Sequence, residues 1–358
     1  MRAELTEIAL FCCPSTRQPL RWREPGSDVS HAPWRKLAER YGLGDIVGVL
    51  ETEDGALAYP AWAGLYGLLA EFAQARTGTA APALRAEKRN VAKFYDDFGW
   101  IEAEEGRFND AVAFEDLRDV TAFYRRACHR RVGRHLRGGR YLLDAASGPV
   151  QLEEYRAFSA KYERRICVDL SLRGLRKAKE RLGEHAICVA ADITALPLRD
   201  GVVDGFVSLH TIYHVPADEQ ARAFAELHRA LEPGGRGVVV YSWGASSWLH
   251  RAAARLDRRF THRPPLAEAT PIALPADADL YFKPHDYAWY HREIAAHYAC
   301  RLRVWRSVGK EFMERFVRSR LGAALILGPL LALETLLPRT FGRIGVCPMI
   351  VFDKPERP

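Results

Sequence analysis

Three apolar runs in the middle of the chain each close on an aspartate, and their order leaves little choice of fold. The first lies in YLLDAASGPV, Tyr141 to Val150, where a hydrophobic stretch ends at Asp144 and small residues follow at once. A buried parallel strand reads this way when it feeds a tight turn against a ligand. The small side chains of Ala145, Ala146, Ser147 and Gly148 let backbone come close. About 25 residues on, Ile166, Cys167 and Val168 lead to Asp169, and Leu172, Leu175, Ala178 and Leu182 then recur at helical spacing. A third run ends at Asp192 and Ile193, and after a Leu-Pro turn a fourth spans Val203 to Leu209. The helix AFAELHRAL follows, stopped by Pro233-Gly234-Gly235 directly before another apolar run. Strands alternating with amphipathic helices predict βαβ units and an open, mostly parallel sheet.

In such a sheet ligands bind beyond the carboxyl ends of the strands, and an acid ending the second strand is placed to accept hydrogen bonds from ribose hydroxyls. With the acid-rich first turn, Asp169, Asp192, the LP..D..VD segment before the fourth strand and the PGG turn before the fifth, the ordered set resembles the class I S-adenosylmethionine-dependent methyltransferases. The resemblance covers roughly residues 90 to 245. It implies an α/β, Rossmann-like seven-stranded sheet and S-adenosylmethionine as cofactor. Asp144, Ala145, Ala146, Ser147 and Gly148 would shape the methionine-side loop. Asp169 would hold the ribose and Asp192 and Ile193 the adenine, and Leu170, Ser208 and Leu209 are the further expected cofactor contacts. The first turn departs from the family's D-x-G-x-G-x-G, since Ala146 and Val150 stand where two glycines are usual. Alanine fits a close turn, and valine is expected at negative φ.

The fourth strand leads into SLHTIYHV, which puts His210, Tyr213 and His214 at the sheet edge. Methyl transfer to a hydroxyl requires alignment and removal of a proton, and a histidine suits the second task near neutral pH. His210 or His214 is therefore the candidate base, with Tyr213 orienting the acceptor; the spacing does not separate the two histidines. Tyr95, Tyr241, Trp243, His285 and Tyr287 are the candidate acceptor contacts. Tyr95 shares with Trp100 and Tyr124 a helical stretch that commonly covers the cofactor in this family, and packing explains these aromatics equally. Asp286 can cap a helix and so account for the HDY stretch without any ligand. The acids Asp96, Asp97, Asp110, Asp116 and Asp119 read as solvated or capping.

Residues 1–76 read as a small module of their own, 77–89 as a linker and 90–358 as the methyltransferase domain, with an acceptor-side insertion at about 246–300. IALFCCP is expected as a strand, and Tyr59-Pro60 is expected to precede a helix. The CP knuckle and YP-x-x-x-G segment resemble the zinc-ribbon-like Trm112 module. Structural zinc sites take four ligands, usually in cysteine pairs. Cys12 and Cys13 have no second pair and His31 is the only other nearby candidate, so no metal is expected.

The stretch at 311–338 contains LGAALILGPLLALETLLP, apolar but broken by Pro329 and Glu334, and a spanning helix needs about 20 predominantly apolar residues. It reads as a buried helical hairpin before the last, antiparallel strand. Arg315, Arg318 and Arg320 ahead of it leave contact with a membrane surface or lipid substrate as the other reading. Seven scattered cysteines and a first segment without a basic region and apolar core point to the cytoplasm, free or peripheral to a membrane. A net charge of +7 is weak support for an anionic partner. A small-molecule acceptor, a secondary metabolite, glycan or lipid-linked precursor, is the expected substrate, methylated at oxygen or nitrogen. RNA methylation is the alternative, though HTIY stands where amino-methylating enzymes carry NPPY. A non-catalytic scaffold of the same fold is the third.

Overall fold

The computed structural model describes residues 7–26, 31–75, 83–103, 106–256 and 280–356. Its first five strands are β1 (Leu20–Arg23), β2 (Ile46–Thr52), β3 (Leu57–Trp62), β4 (Leu65–Gly67) and β5 (Gln74–Ala75). The next five are β6 (Gly139–Ala145), β7 (Tyr162–Asp169), β8 (Ala186–Ala190), β9 (Val203–Leu209) and β10 (Leu231–Val240), followed by β11 (Cys300–Arg306) and β12 (Cys347–Asp353). All twelve belong to one mixed sheet in the order β1-β2-β3-β4-β8-β7-β6-β9-β10-β12-β11, with β5 paired to β3. From β6 the chain winds outward through β7 and β8 on one side and through β9 and β10 on the other. This reversal of winding opens a crevice at the carboxyl ends of β6 and β9. β12 runs antiparallel to both β10 and β11.

The mixed α/β sheet is the expected one in kind, but among the described residues it has twelve strands where seven were expected. β4 adds in parallel to the edge of β8, pairing Leu65 with Cys188, Tyr66 with Val189 and Gly67 with Ala190. An open edge strand is a template for unwanted pairing, and here the chain's own beginning occupies it. Phe11, Leu50, Tyr59 and Leu68 share a core with Leu143, Ile166 and Ile187. The described residues between 7 and 75 thus add their strands to the same sheet.

Local expectations for that stretch change accordingly. IALFCCP forms two isolated bridges, Phe11 to Leu198 and Cys12 to Pro19, instead of a strand. Tyr59-Pro60 lies inside β3, and Gly64 at φ 76 turns the chain into β4 where a helix was expected. The Cys13 thiol lies 3.3 Å from the Tyr59 hydroxyl, and Arg17 donates to Cys12 Sγ at 3.7 Å. Of the expected linker and insertion, residues 77–82 and 257–279 lie outside the described residues.

Five helices position the site: α1 (Ala32–Tyr41), α2 (Ala86–Phe94), α3 (Ala122–Gly133), α4 (Leu172–Leu182) and α5 (Gln220–Ala230). α4 shows why the spacing was readable. Ser171 caps it by accepting from the Gly174 N–H at 2.9 Å, and Leu172, Leu175 and Ala178 turn one face into the core. Each large apolar side chain so buried contributes about 1.5–3 kcal/mol.

Candidate active site

A cavity of about 1060 Å³ opens beyond the carboxyl ends of the central strands, and Asp144, Asp169, Asp192 and His210 all line it. The first turn enters it with an unusual backbone. Ala146, Gly148 and Val150 have φ of 58°, 51° and 52°, the left-handed region that glycine favours. The turn thus keeps the shape of a glycine-rich loop although two glycines are gone. Val150 at positive φ corrects the expectation above. A β-branched residue there is strained by roughly 1–3 kcal/mol, and it persists because its side chain is fully buried between β7 and α4. Ala146 and Ser147 line the cavity, whereas Ala145 and Gly148 are backbone support. A Cβ on Gly148 would lie 2.5 Å from the Trp100 ring, so glycine is required here by close approach.

The Asp144 carboxylate is not left to a ligand alone. Arg165 on β7, fully buried, donates to it from Nε at 3.0 Å and again from an NH₂ group, and gives its other NH to the Tyr155 carbonyl at 2.6 Å. Asp169 accepts the Gly148 and Ser171 N–H groups, each at 2.8 Å. Burial nevertheless pushes its pKa up to about 7, with Asp96 and Asp144 adding to the rise. Asp192 is more heavily committed. It accepts Lys88 Nζ at 2.6 Å and both the N–H and hydroxyl of Thr194 at 2.9 Å. Lys88, on α2, also pairs with Glu219 and bonds Thr194 at 2.8 Å. The amino edge of an adenine would therefore meet a carboxylate with three of its roughly four lone-pair positions taken. Ile193 and Leu170 line the cavity as apolar walls.

α2 and the turn after it cover this end. Tyr95 and Trp100 line the cavity and stack with centroids 4.6 Å apart at 18°. Asp96, buried rather than solvated, accepts the Ser171 hydroxyl and the Arg173 N–H, which ties the cover to the start of α4. Tyr124 lies elsewhere, fully buried in the core beneath β11.

The other end of the cavity carries the histidines. His210 has φ 60°, its Nε2 is buried without a partner, and its ring meets Trp305 edge-on at 4.4 Å. Burial lowers its pKa to about 3, against the pull of the Glu115 carboxylate. Glu115 is buried too, but the Arg306 guanidinium, 2.7 Å away, holds it ionised below its ordinary range. His214 gives Nδ1–H to the Tyr281 carbonyl at 2.7 Å, which leaves Nε2 as its lone-pair nitrogen. Burial lowers its pKa to about 4. Tyr213 lines the wall beside it, 4.7 Å from the His214 ring. Asp110, expected in solvent, faces the cavity, bonded to Gln151 at 2.7 Å and raised by burial to about 6.

The remaining acceptor candidates are structural. Tyr241 is core, donating to Gln220 and accepting the His285 N–H at 2.9 Å. Trp243 gives its indole N–H to the Gly342 carbonyl at 2.8 Å. His285 stacks on Trp289 at 4.2 Å, and Asp286 caps that turn by accepting the Trp289 N–H at 2.9 Å. Tyr287 packs under Arg343. None of these four aromatics lines the cavity; Ser242 and Phe282 beside them do. Ser208 is buried behind Leu209, which reaches the cavity. Lys88, Arg165, Glu115 and Arg306 were not read from the sequence. Arg165 stands beside Glu163 and Arg164 at the charged start of β7, so nothing local marked it as the buried one.

Residues 143–239 match the family model described as "Methyltransferase domain". This segment is a class I methyltransferase domain. An uncharacterized methyltransferase of Mycobacterium sp. (strain JLS) is 28% identical over 200 residues, covering 51% of this chain and 73% of that protein. A ubiquinone/menaquinone biosynthesis C-methyltransferase of Methylobacterium nodulans is 39% identical over 67 residues, covering 19% of this chain and 26% of that one. A solved geranyl diphosphate C-methyltransferase from Streptomyces coelicolor A3(2) superposes with TM-score 0.45 at 17% identity, over 75% of this chain and 98% of that one.

The methyltransferase domain can be tested for fit to S-adenosylmethionine, the donor this class uses. An ionised carboxylate offers about four lone-pair positions. The two backbone donors on Asp169 leave the others for ribose hydroxyls. Ala146 and Ser147 present the bare turn, and Leu170 and Ile193 give flat apolar walls. A volume of about 1060 Å³ is at the upper end of the roughly 300–1,000 Å³ typical of one ligand, so a donor and an acceptor can be held together. Asp192 is the one position that fits poorly, for Lys88 has taken its place as partner.

Proposed function

We propose that the protein transfers a methyl group from S-adenosylmethionine to a small-molecule acceptor, with Asp169 holding the ribose and His210 serving the acceptor. One observation carries this reading: the Asp169 carboxylate and the unpartnered Nε2 of His210 belong to the same cavity. The bound donor would supply an electrophilic methyl on a sulfonium, whose charge suits the aromatic faces of Tyr95 and Trp100.

His210 acts late in the reaction. An imidazole with so depressed a pKa takes no proton from a resting hydroxyl, but it accepts one readily from the strongly acidic oxonium that an attacked oxygen becomes. Glu115 then faces the imidazolium and stabilises it. His214 stays neutral and directs Nε2 along the same wall. The apolar and aromatic lining favours a small acceptor over a nucleic-acid strand. We read the first 75 residues as a metal-free relative of the Trm112 module whose present role is to close the sheet edge.

Calorimetric titration with S-adenosylmethionine tests the cofactor half of the proposal. Micromolar binding is expected, lost in Asp169→Ala and kept in His210→Asn. With an acceptor found by screening, His210→Asn should lower kcat by less than the roughly 10²–10⁴-fold of a base acting in the transition state, because the proton leaves after the methyl has moved. Absence of binding by the folded wild-type protein would leave the non-catalytic scaffold as the better reading.

A further inference from the structure

The stretch between β11 and β12 is not the buried hairpin expected from the sequence. After a short helix at Lys310–Phe316 it forms α6 (Arg320–Leu336) and α7 (Pro338–Ile344), bent by 113° at their junction, and among the described residues no single helix is long and apolar enough to cross a membrane. Only Ala323, Leu327 and Glu334 of α6 are buried. The opposite face is a stripe of leucines left in solvent: Leu321 is 70% exposed, Leu325 67% and Leu336 76%, and Leu333 and Leu337 extend it. A contiguous apolar face of this kind marks an interaction site.

Charge selects the occupant. Between residues 315 and 345 the chain carries Arg315, Arg318, Arg320, Arg339 and Arg343 and a single acid, Glu334, which is buried against Arg131. The exposed leucines are therefore bracketed at both ends by arginines, with no acidic side chain of the hairpin on the surface. A second protein would have to match that face in shape. An anionic bilayer needs only to offer hydrocarbon to the leucines and headgroups to the guanidinium groups, which long side chains reach by snorkelling.

The face also connects with the cavity. Gly309, Lys310 and Phe312, just ahead of α6, line the cavity. Phe312 meets Phe316 with ring centroids 4.9 Å apart, and Phe316 is itself exposed on the way to Leu321. Phe312 and Phe316 thus carry apolar surface from the cavity wall toward the start of α6.

We propose that α6 and α7 seat the protein on an anionic membrane surface, apolar face down, with the cavity rim against the lipid so that a membrane-dissolved acceptor enters past Phe312 and Phe316. The docking stands on this face alone; only its use for an acceptor rests on the methyl-transfer reading.

Co-flotation of the full-length protein with vesicles tests it, with no cofactor added. Vesicles of phosphatidylcholine and phosphatidylglycerol in equal parts should carry the protein, and vesicles of phosphatidylcholine alone should carry markedly less. Arg318→Gln and Arg320→Gln should each weaken binding about fivefold. The double variant Leu325→Asp, Leu336→Asp should abolish it while thermal unfolding stays unchanged, because both side chains lie in solvent. Equal binding by the leucine variant and the wild type would overturn the proposal. So would a lipid-indifferent wild-type dimer that the leucine variant turns into a monomer, since a second copy would then own the face. Titration with S-adenosylmethionine is independent of either result, so failure of docking and failure of the enzymatic reading are told apart.

Discussion

Asp169 needs its charge to hold a ribose, yet the fold makes that charge expensive. Burial lifts its pKa from 3.8 to about 7, so the folded chain keeps a proton that the unfolded chain has released. Between those two values the unfolded state binds fewer protons, and this residue's contribution to stability falls as pH rises. Ribose hydroxyls reverse the preference, because they donate to the ionised form. Only the ionised fraction is competent, so affinity for S-adenosylmethionine should rise about tenfold from pH 6 to pH 8. Calorimetry at both pH values checks this, and Asp169→Asn should bind weakly and equally at both. A flat wild-type profile would mean that the ribose does not rest on this carboxylate. Asp144, Asp169 and Asp192 were legible because each ends an apolar run, which is a local signal. Their partners were not. Arg165 lies 21 residues from Asp144 and Lys88 lies 104 from Asp192, and only the sheet order and the fold-back of α2 bring them together.

At the scale of an element, α6 is organised by the residue that made it look broken. Glu334 interrupts an apolar run in the sequence, yet it is the most deeply buried charge of the helix and its anchor. Its Oε1 accepts the Tyr124 hydroxyl at 2.6 Å and the Ser307 N–H at 2.9 Å, while Arg131 approaches Oε2 at 2.8 Å. Arg131 in turn donates to the Trp305 carbonyl at 2.8 Å, so one carboxylate joins α3, α6 and the end of β11. Glu334→Ala would leave Arg131 buried without its counter-charge, a loss of about 3–5 kcal/mol. Urea unfolding should show that loss. Glu334→Gln, which keeps an oxygen for Tyr124 and Ser307, should lose distinctly less. Equal losses would mean that packing, not the ion pair, fixes the helix. Hydropathy could not reveal this, since it scores an acid in an apolar run as a break and has no way to see a partner on another helix.

The whole molecule depends on a contact of three residues. β4 is short, and its sequence LYG carries no signal of the strand it joins, so the first 75 residues read as a separate unit. In the sheet they are the cover of its β8 edge. The central strands were readable from their own apolar runs, but a join between distant segments is a property of the assembled sheet. Removal of residues 1–75 would strip the edge of β8 and expose Cys188, Val189 and Ala190 to pairing with other chains. It would also take Phe11 and Tyr66 from the main core and break the bond from Arg17 to Glu226, whose carboxylate receives the Leu196 N–H in the turn below β8. A chain beginning at residue 76 should therefore express as aggregate, whereas a detachable module would leave a soluble, cooperatively folding remainder. Separate co-expression of residues 1–75 distinguishes the cause. If edge cover is what the remainder lacks, the fragment should restore solubility and elute with it. If the fragment stays apart and the remainder is soluble alone, the sheet is complete without β4 and the twelve-stranded unit is not the folding unit.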